Sequence, residues 1–358
     1  MTNRTVPICF NNLSSVFFEI SLILCAITVC ASVGIVGNIC GFHMLNRITM
    51  NKNLRRYLRV LTVCDTSVLL CAFCYYTGNV AIHLIDRFKQ MGLYLVRYFN
   101  GPLITAITAS VWMTVLIAAV RFFAVFRPFH STTGRSVLKH AWHMSSGVIL
   151  VAIFYCSPTH FEVILESCLR TNSTNVITVQ MQSGYLSNSR YLLVYRTICY
   201  ATFVTLGPFL LNLLLSFGML CAINRNSLPS YHQSESVSSC HRRSERANRR
   251  RRSRSWLLVS ILLTKFLIFY MVPTSLFLTT LTGGMNVFSP KVLQILVELG
   301  NLLVICNSAT NCLIYVPWTR HRKNLASDAG STRTVRRRKV TNQETDSLGP
   351  TFGSITEL

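Results

Sequence analysis

The chain has 358 residues, 51% of them apolar and 13% charged, where soluble domains average about 25% charged. Its 35 Lys+Arg against 12 Asp+Glu give a formal net charge of +23. The apolar residues lie in long blocks with the charges between them, which excludes a Rossmann or TIM-barrel enzyme and, despite the charge, argues against a nucleic-acid partner.

Seven apolar blocks follow one another at 16–45, 57–83, 94–120, 138–157, 192–223, 256–281 and 288–316. Each is about 20 residues or longer, enough to cross ~30 Å of hydrocarbon at ~1.5 Å per residue. In lipid every backbone amide needs an internal partner, so each block predicts a helix. The expected fold is an all-α membrane protein, a seven-transmembrane helix bundle over 16–325, with 1–15 as an extracellular N-terminus and 326–358 as a disordered cytoplasmic tail. No cleavable signal precedes the first block, which would act as its own insertion signal.

The connecting segments set the orientation. Segments 46–59, 121–140, 222–255 and 318–358 carry 26 Lys+Arg, against 8 in 1–15, 84–97, 158–196 and 282–291. The positive-inside rule places the first set in the cytoplasm and the N-terminus outside. Glycosylation sequons at Asn3, Asn12 and Asn172 all fall on the predicted outer face. Most of the 14 cysteines lie in the helices as small apolar packing residues, and only Cys9 and Cys168 sit clearly in outward segments. A bridge between them is chemically allowed, but connectivity does not follow from sequence.

Polar groups inside the blocks carry the functional signal, because each is expensive there. Block one holds Asn38 after Gly37, block two Asp65 in LRVLTVCDTSVLL, block three Ser110, and block seven Asn307, Ser308 and Asn311 in NSATNCLIY. One carboxylate among hydroxyls and amides suits a small hard cation such as Na⁺. The alternative is that these groups hydrogen-bond the bundle together. Arg121 closes block three in AAVRFFAVFRPF, either as a snorkelling anchor or as a latch that changes partners when helices move. No internal repeat of the transporter kind is evident. No HExxH, Ser-His or paired-carboxylate set lies at one depth, so neither a transporter, a channel nor an enzyme is favoured.

Together these positions resemble the rhodopsin-like (class A) G-protein-coupled receptors over nearly the whole chain. Gly37-Asn38, Leu61 with Asp65, Arg121 with Pro128, Trp142, Pro208, Pro273, and Asn311 with Tyr315 stand in order at the positions of the family's helix motifs. The resemblance implies a sodium pocket of Asp65, Ser110, Asn307, Ser308 and Asn311, with Na⁺ as an allosteric ion and no other cofactor. It implies activation-switch residues at Arg121, Tyr315, Pro208, Pro273 and Met271, and a heterotrimeric G protein as partner. The pattern Asn307-Ser308-x-x-Asn311-x-x-Ile314-Tyr315 is similar to that of invertebrate FMRFamide-type neuropeptide receptors. The chain also departs from the family. Val120 replaces the acidic residue before Arg121, Phe122 the tyrosine after it, Cys312 the proline of the last motif and Met271 the helix-six tryptophan. Val96 stands where helix three usually begins with cysteine. Without its carboxylate neighbour Arg121 lacks a restraint, and raised basal signalling is expected. A receptor that signals mainly without ligand is the second reading.

The resemblance also narrows the ligand. Leu103 stands where amine receptors carry an aspartate and Ile305 where opsins carry the retinal lysine, so neither ligand fits. In the second outer loop, FEVILESCLR and NVITVQMQ bracket the polar turn TNST and predict a β-hairpin, a feature the resemblance links to peptide receptors. The outer rim offers carboxylates at Asp86, Glu162, Glu166 and Glu298. Glu298 lies within block seven, where it either faces the cavity and pairs with an arginine of a peptide or pairs internally with Arg97 or Lys291.

On the inner side, the run SESVSSCHRRSERANRRRRSRS could contact G protein and anionic lipid, or be ordinary positive-inside charge. PWTRHRKNL reads as a short amphipathic surface helix after block seven. The terminal Thr356-Glu357-Leu358 fits a PDZ domain. The expected location is the plasma membrane, multi-pass.

Overall fold

The computed structural model describes residues 17–47, 52–84, 86–126, 141–170, 176–183, 189–226, 239–281 and 289–315. The sequons at Asn3, Asn12 and Asn172, Cys9, the surface helix after Tyr315 and the tail ending Thr356-Glu357-Leu358 lie outside the described residues.

Helices α1 (Phe17–Arg47), α2 (Lys52–Leu84), α3 (Lys89–Phe126) and α4 (Ala141–Tyr155) come first. A hairpin of β1 (Val163–Arg170) and β2 (Val176–Ser183) follows. Then come α5 (189–226), α6 (Ser239–Leu281) and α7 (Pro290–Ala309). Among the described residues, six helices are long and apolar enough to cross a membrane, and α4 is a shorter apolar helix of 15 residues. The seven helices follow the seven apolar blocks, and the antiparallel hairpin pairs Val163 with Ser183 through Arg170 with Val176, as the loop pattern predicts.

Helix α2 packs between α1 and α3, α1 also lies against α7, and α3 runs through the centre to touch α4, α5 and α6. The core fills both halves. Toward the end away from the hairpin, Tyr57, Leu58 and Leu61 meet Met113, Ile117, Leu258 and Tyr315. Toward the hairpin, Leu24 and Ile27 meet Val68, Leu103 and Ile305. The outward stripe of α1 is apolar too: Leu22, Val29, Val33 and Val36 are between 63% and 69% exposed. Water would not tolerate such a surface, but hydrocarbon does.

Helix α1 closes on α7 along a seam of small residues. A Cβ on Gly34 would stand 2.6 Å from Cβ of Ala309, and one on Gly37 would stand 2.8 Å from Sγ of Cys312. The seam continues to Cys30 and Cys306, whose sulfurs are 3.4 Å apart. Without a hydrophobic force between helices in lipid, such close backbone approach is a main source of cohesion.

Helix α5 is not uniform. Leu192–Cys199 and Ala201–Thr205 are π-helical, and a regular α-helix runs from Leu206 to Asn226. Pro208 explains the junction. It has no N–H to give to the carbonyl five residues earlier, Phe203, and the indole of Trp112 on α3 donates to that carbonyl instead, at 2.8 Å. Gly207 is required in the same turn, since a Cβ there would lie 1.9 Å from the Thr202 oxygen.

Helix α7 starts with Ser289 as N-cap, its hydroxyl accepting from the Val292 amide, and with Pro290 in the first turn. It breaks at Thr310 (φ −91°, ψ 0°), and one more turn carries Asn311–Tyr315. The break forms without a proline. The Thr310 hydroxyl donates back to the Cys306 carbonyl at 2.7 Å, a bond that bends helices.

Candidate functional site

Five helices converge on Asp65, which is fully buried at mid-length of α2. The Ser110 hydroxyl of α3 donates to its Oδ1 at 2.6 Å, and the Asn311 amide donates to its Oδ2. Ser308 also faces the carboxylate. Asn38 of α1 donates to the Ser308 carbonyl at 3.2 Å, tying α1 into the cluster. Asp65, Ser110, Ser308 and Asn311 therefore meet directly, and the fifth residue expected in the pocket, Asn307, joins them through its backbone carbonyl. A sixth group, not expected there, joins them: Lys265 of α6 donates from Nζ to the Asn307 carbonyl and to Oδ1 of Asn311. Hydrogen bonds to charged groups are worth ~1.5–3 kcal/mol each, so this cluster holds α2, α3, α6 and α7 in one arrangement.

Arg121 closes the central helix at the end away from the hairpin. Its Nε and Nη2 are buried and have no hydrogen-bond partner among the described residues. Val120 beside it is packed into the core, so no carboxylate is offered at that step of the helix. Val120→Glu should restore one. A pair of this kind is worth ~1 kcal/mol, or about a fivefold population shift. Ligand-free second-messenger output should fall by about that factor at matched surface expression, and an unchanged output would refute a missing restraint at Arg121.

The other expected switch residues lie in different surroundings. Tyr315 is fully buried, with its ring in the core and its hydroxyl facing Thr62. Pro208 is buried at the head of the regular part of α5, and Pro273 in α6 packs its ring against Gly300 of α7. Met271, in contrast, is 61% exposed on the outside of α6. The residue that turns inward is Tyr270, buried and stacked on Phe266 with ring centroids 4.3 Å apart. Trp142 also points out of the bundle, 57% exposed.

The rim carboxylates separate into three kinds. Glu162 is buried, and its Oε1 accepts from the Tyr191 hydroxyl at 2.9 Å, so it braces the loop before β1 against α5. Tyr191 stacks on Tyr195, whose hydroxyl donates to the Tyr155 carbonyl at 2.8 Å, extending the brace to α4. Glu166 is exposed on β1 opposite Gln180, and Asp86 opens the short 3-10 turn Asp86–Phe88 between α2 and α3. Glu298 differs from all of these. It is half-buried in the hairpin-side half of α7 and accepts from Asn301 of its own helix at 3.2 Å. Tyr76 is buried close enough to interact electrostatically with it, with Tyr75 edge-on at 5.1 Å. Of the two internal partners that the sequence offers, Arg97 and Lys291, Arg97 is committed elsewhere: its Nη1 donates to the His160 carbonyl at 2.6 Å.

Comparison with known proteins agrees with this arrangement. A family model described as the seven transmembrane receptor (rhodopsin family) matches residues 39–315. The probable G-protein coupled receptor frpr-1 of Caenorhabditis elegans is 24% identical over 306 residues, covering 79% of this chain and 71% of its own length. The FMRFamide receptor of Drosophila melanogaster is 24% identical over 300 residues, covering 81% of this chain and 50% of its own length. The chain thus spans about half the length of this second relative.

Proposed function

The chain belongs to the rhodopsin family of seven-transmembrane receptors, and from that premise we propose that it receives a cationic peptide at the hairpin end of its bundle and activates a heterotrimeric G protein at the other. It is a multi-pass membrane receptor and not an enzyme. The observation that carries the peptide reading is Glu298, a half-buried carboxylate beside Tyr76 that accepts a hydrogen bond from the neutral amide of Asn301. A half-buried carboxylate beside aromatic rings favours a guanidinium, which pairs with it through two parallel hydrogen bonds. Two features support a peptide over a smaller ligand: the β-hairpin spans eight residues in each strand and packs against α3, and one relative bears the name of a peptide's receptor.

The same reading places the N-terminus outside with glycans at Asn3, Asn12 and Asn172, and the basic segments inside at the plasma membrane. There the Arg-rich start of α6 faces G protein and anionic lipid. It keeps the Cys9–Cys168 bridge and the PDZ contact of Thr356-Glu357-Leu358 as further expectations. The basic run continues α6 as a helix from Ser239 onward, which takes in its arginines from Arg242.

The test is second-messenger output in cells expressing the chain, first without ligand and then across a panel of amidated peptides with and without arginine. A response confined to arginine-containing peptides supports the reading. High ligand-free output with no peptide response favours the receptor that signals on its own, for which the unpartnered Arg121 nitrogens are the supporting observation.

A further inference from the structure

Lys265 lies at mid-length of the apolar part of α6, between Thr264 and Phe266. An ammonium at that depth must find partners or a water path. It finds α7: the Asn307 carbonyl and Oδ1 of Asn311 both accept from Nζ. Asn311 then passes the interaction on, because its amide nitrogen donates to Asp65, whose other oxygen accepts from Ser110. The orientation of the Asn311 amide is fixed by the two charges. Turned over, it would set NH₂ against the ammonium and C=O against the carboxylate. Lysine, asparagine and aspartate thus form a chain of alternating donors and acceptors, with one positive and one negative charge.

A free Na⁺ in this cluster would need oxygen ligands. Two of the suitable oxygens, the Asn307 carbonyl and Oδ1 of Asn311, already accept from Lys265. A second monovalent cation would also leave the buried cluster with a net positive charge, which a low-dielectric interior opposes. The residues therefore do not fit sodium while Lys265 is docked. Two acceptors nearby, Oδ1 of Asn38 and Oδ1 of Asn307, are buried with no hydrogen-bond partner among the described residues, so oxygen ligands stand ready if the ammonium leaves.

We propose that Lys265 is the resident cation of the Asp65 pocket: an ammonium tethered to α6 takes the place of a free ion and closes the site to sodium. Because this cation is part of α6, the pocket is filled only while α6 lies against α7. Separation of the two helices removes the ion and the latch in one movement. The pocket then becomes an anionic site with free oxygens, open to sodium. The charge of the pocket is thereby coupled to the position of one helix rather than to the salt outside the cell.

The experiment is thermal melting of the purified full-length chain in detergent, in NaCl against N-methyl-D-glucamine chloride at equal ionic strength. It needs neither ligand nor G protein, so its result is independent of the receptor reading. The wild-type chain should melt at the same temperature in both salts. Lys265→Met should gain about 3–6 °C in NaCl, the size expected when sodium exceeds its dissociation constant by about tenfold. Adding Asp65→Asn to that variant should abolish the gain. A wild-type shift of this size that Asp65→Asn removes would overturn the proposal, and so would a folded Lys265→Met that ignores sodium. Lys265→Gln, which keeps a donor to α7 without the charge, serves if Lys265→Met does not fold, and the wild-type arm decides on its own.

Discussion

Glu298→Gln should raise the half-maximal concentration of an arginine-containing peptide by roughly thirtyfold. The side chain keeps its size and its place beside Asn301 and Tyr76, so the change removes charge and little else. Losing one partner of a desolvated, hydrogen-bonded charge pair costs about 2 kcal/mol or more, which is that factor in concentration. A matched peptide with citrulline in place of arginine makes the measurement specific. It should already be weak on the wild-type receptor, and Glu298→Gln should weaken it little further, because the pair is broken in either case. Equal loss for both peptides would show that Glu298 shapes the cavity without meeting the arginine.

The second large effect is on folding. Asp65→Leu leaves the Lys265 ammonium buried among neutral acceptors, and breaking a buried pair from one side costs ~3–5 kcal/mol. That is a large share of the ~5–15 kcal/mol that holds a protein together. Surface antibody binding to the variant should drop by about tenfold. Lys265→Met in the same chain should restore most of it, since the double variant has no charge left to compensate. A double variant that is expressed worse than Asp65→Leu alone would show that the two groups are not coupled.

Hydropathy carried most of the architecture. The helices follow the apolar blocks because lipid forces every amide into an internal bond, and the hairpin follows two β-prone runs around TNST. The Asp65 pocket was legible for the same reason: polar residues inside apolar blocks have few places to go except toward each other. Lys265 carried the same signal, an ionisable group inside block six, yet its partner depends on how α6 is rotated against α7, which packing decides. Rotation also accounts for Met271 and Tyr270. One residue is about 100° of helical turn, so a motif aligned on Pro273 can name the inward position one residue away from the side chain that points inward. By sequence Glu162 is a rim carboxylate, and nothing around it announces the tyrosine on α5 that donates to it.

The π-helical stretch of α5 changes which of its side chains share a face. Hydrogen bonds there reach back five residues instead of four, so the chain advances by roughly one extra residue in each turn. Over Leu192–Cys199 and Ala201–Thr205 the angular phase of the helix slips relative to the regular α-helix that starts at Leu206. Counting backward from Pro208 in steps of three and four therefore picks the wrong side of the helix by the time it reaches Tyr195 and Tyr191. The tyrosine ladder that ties Glu162 and Tyr155 to α5 runs along this stretch. A single-residue deletion in the stretch would act less like a shortened helix than like a dial turned, swinging every side chain from Ser189 to the deletion point onto a new face.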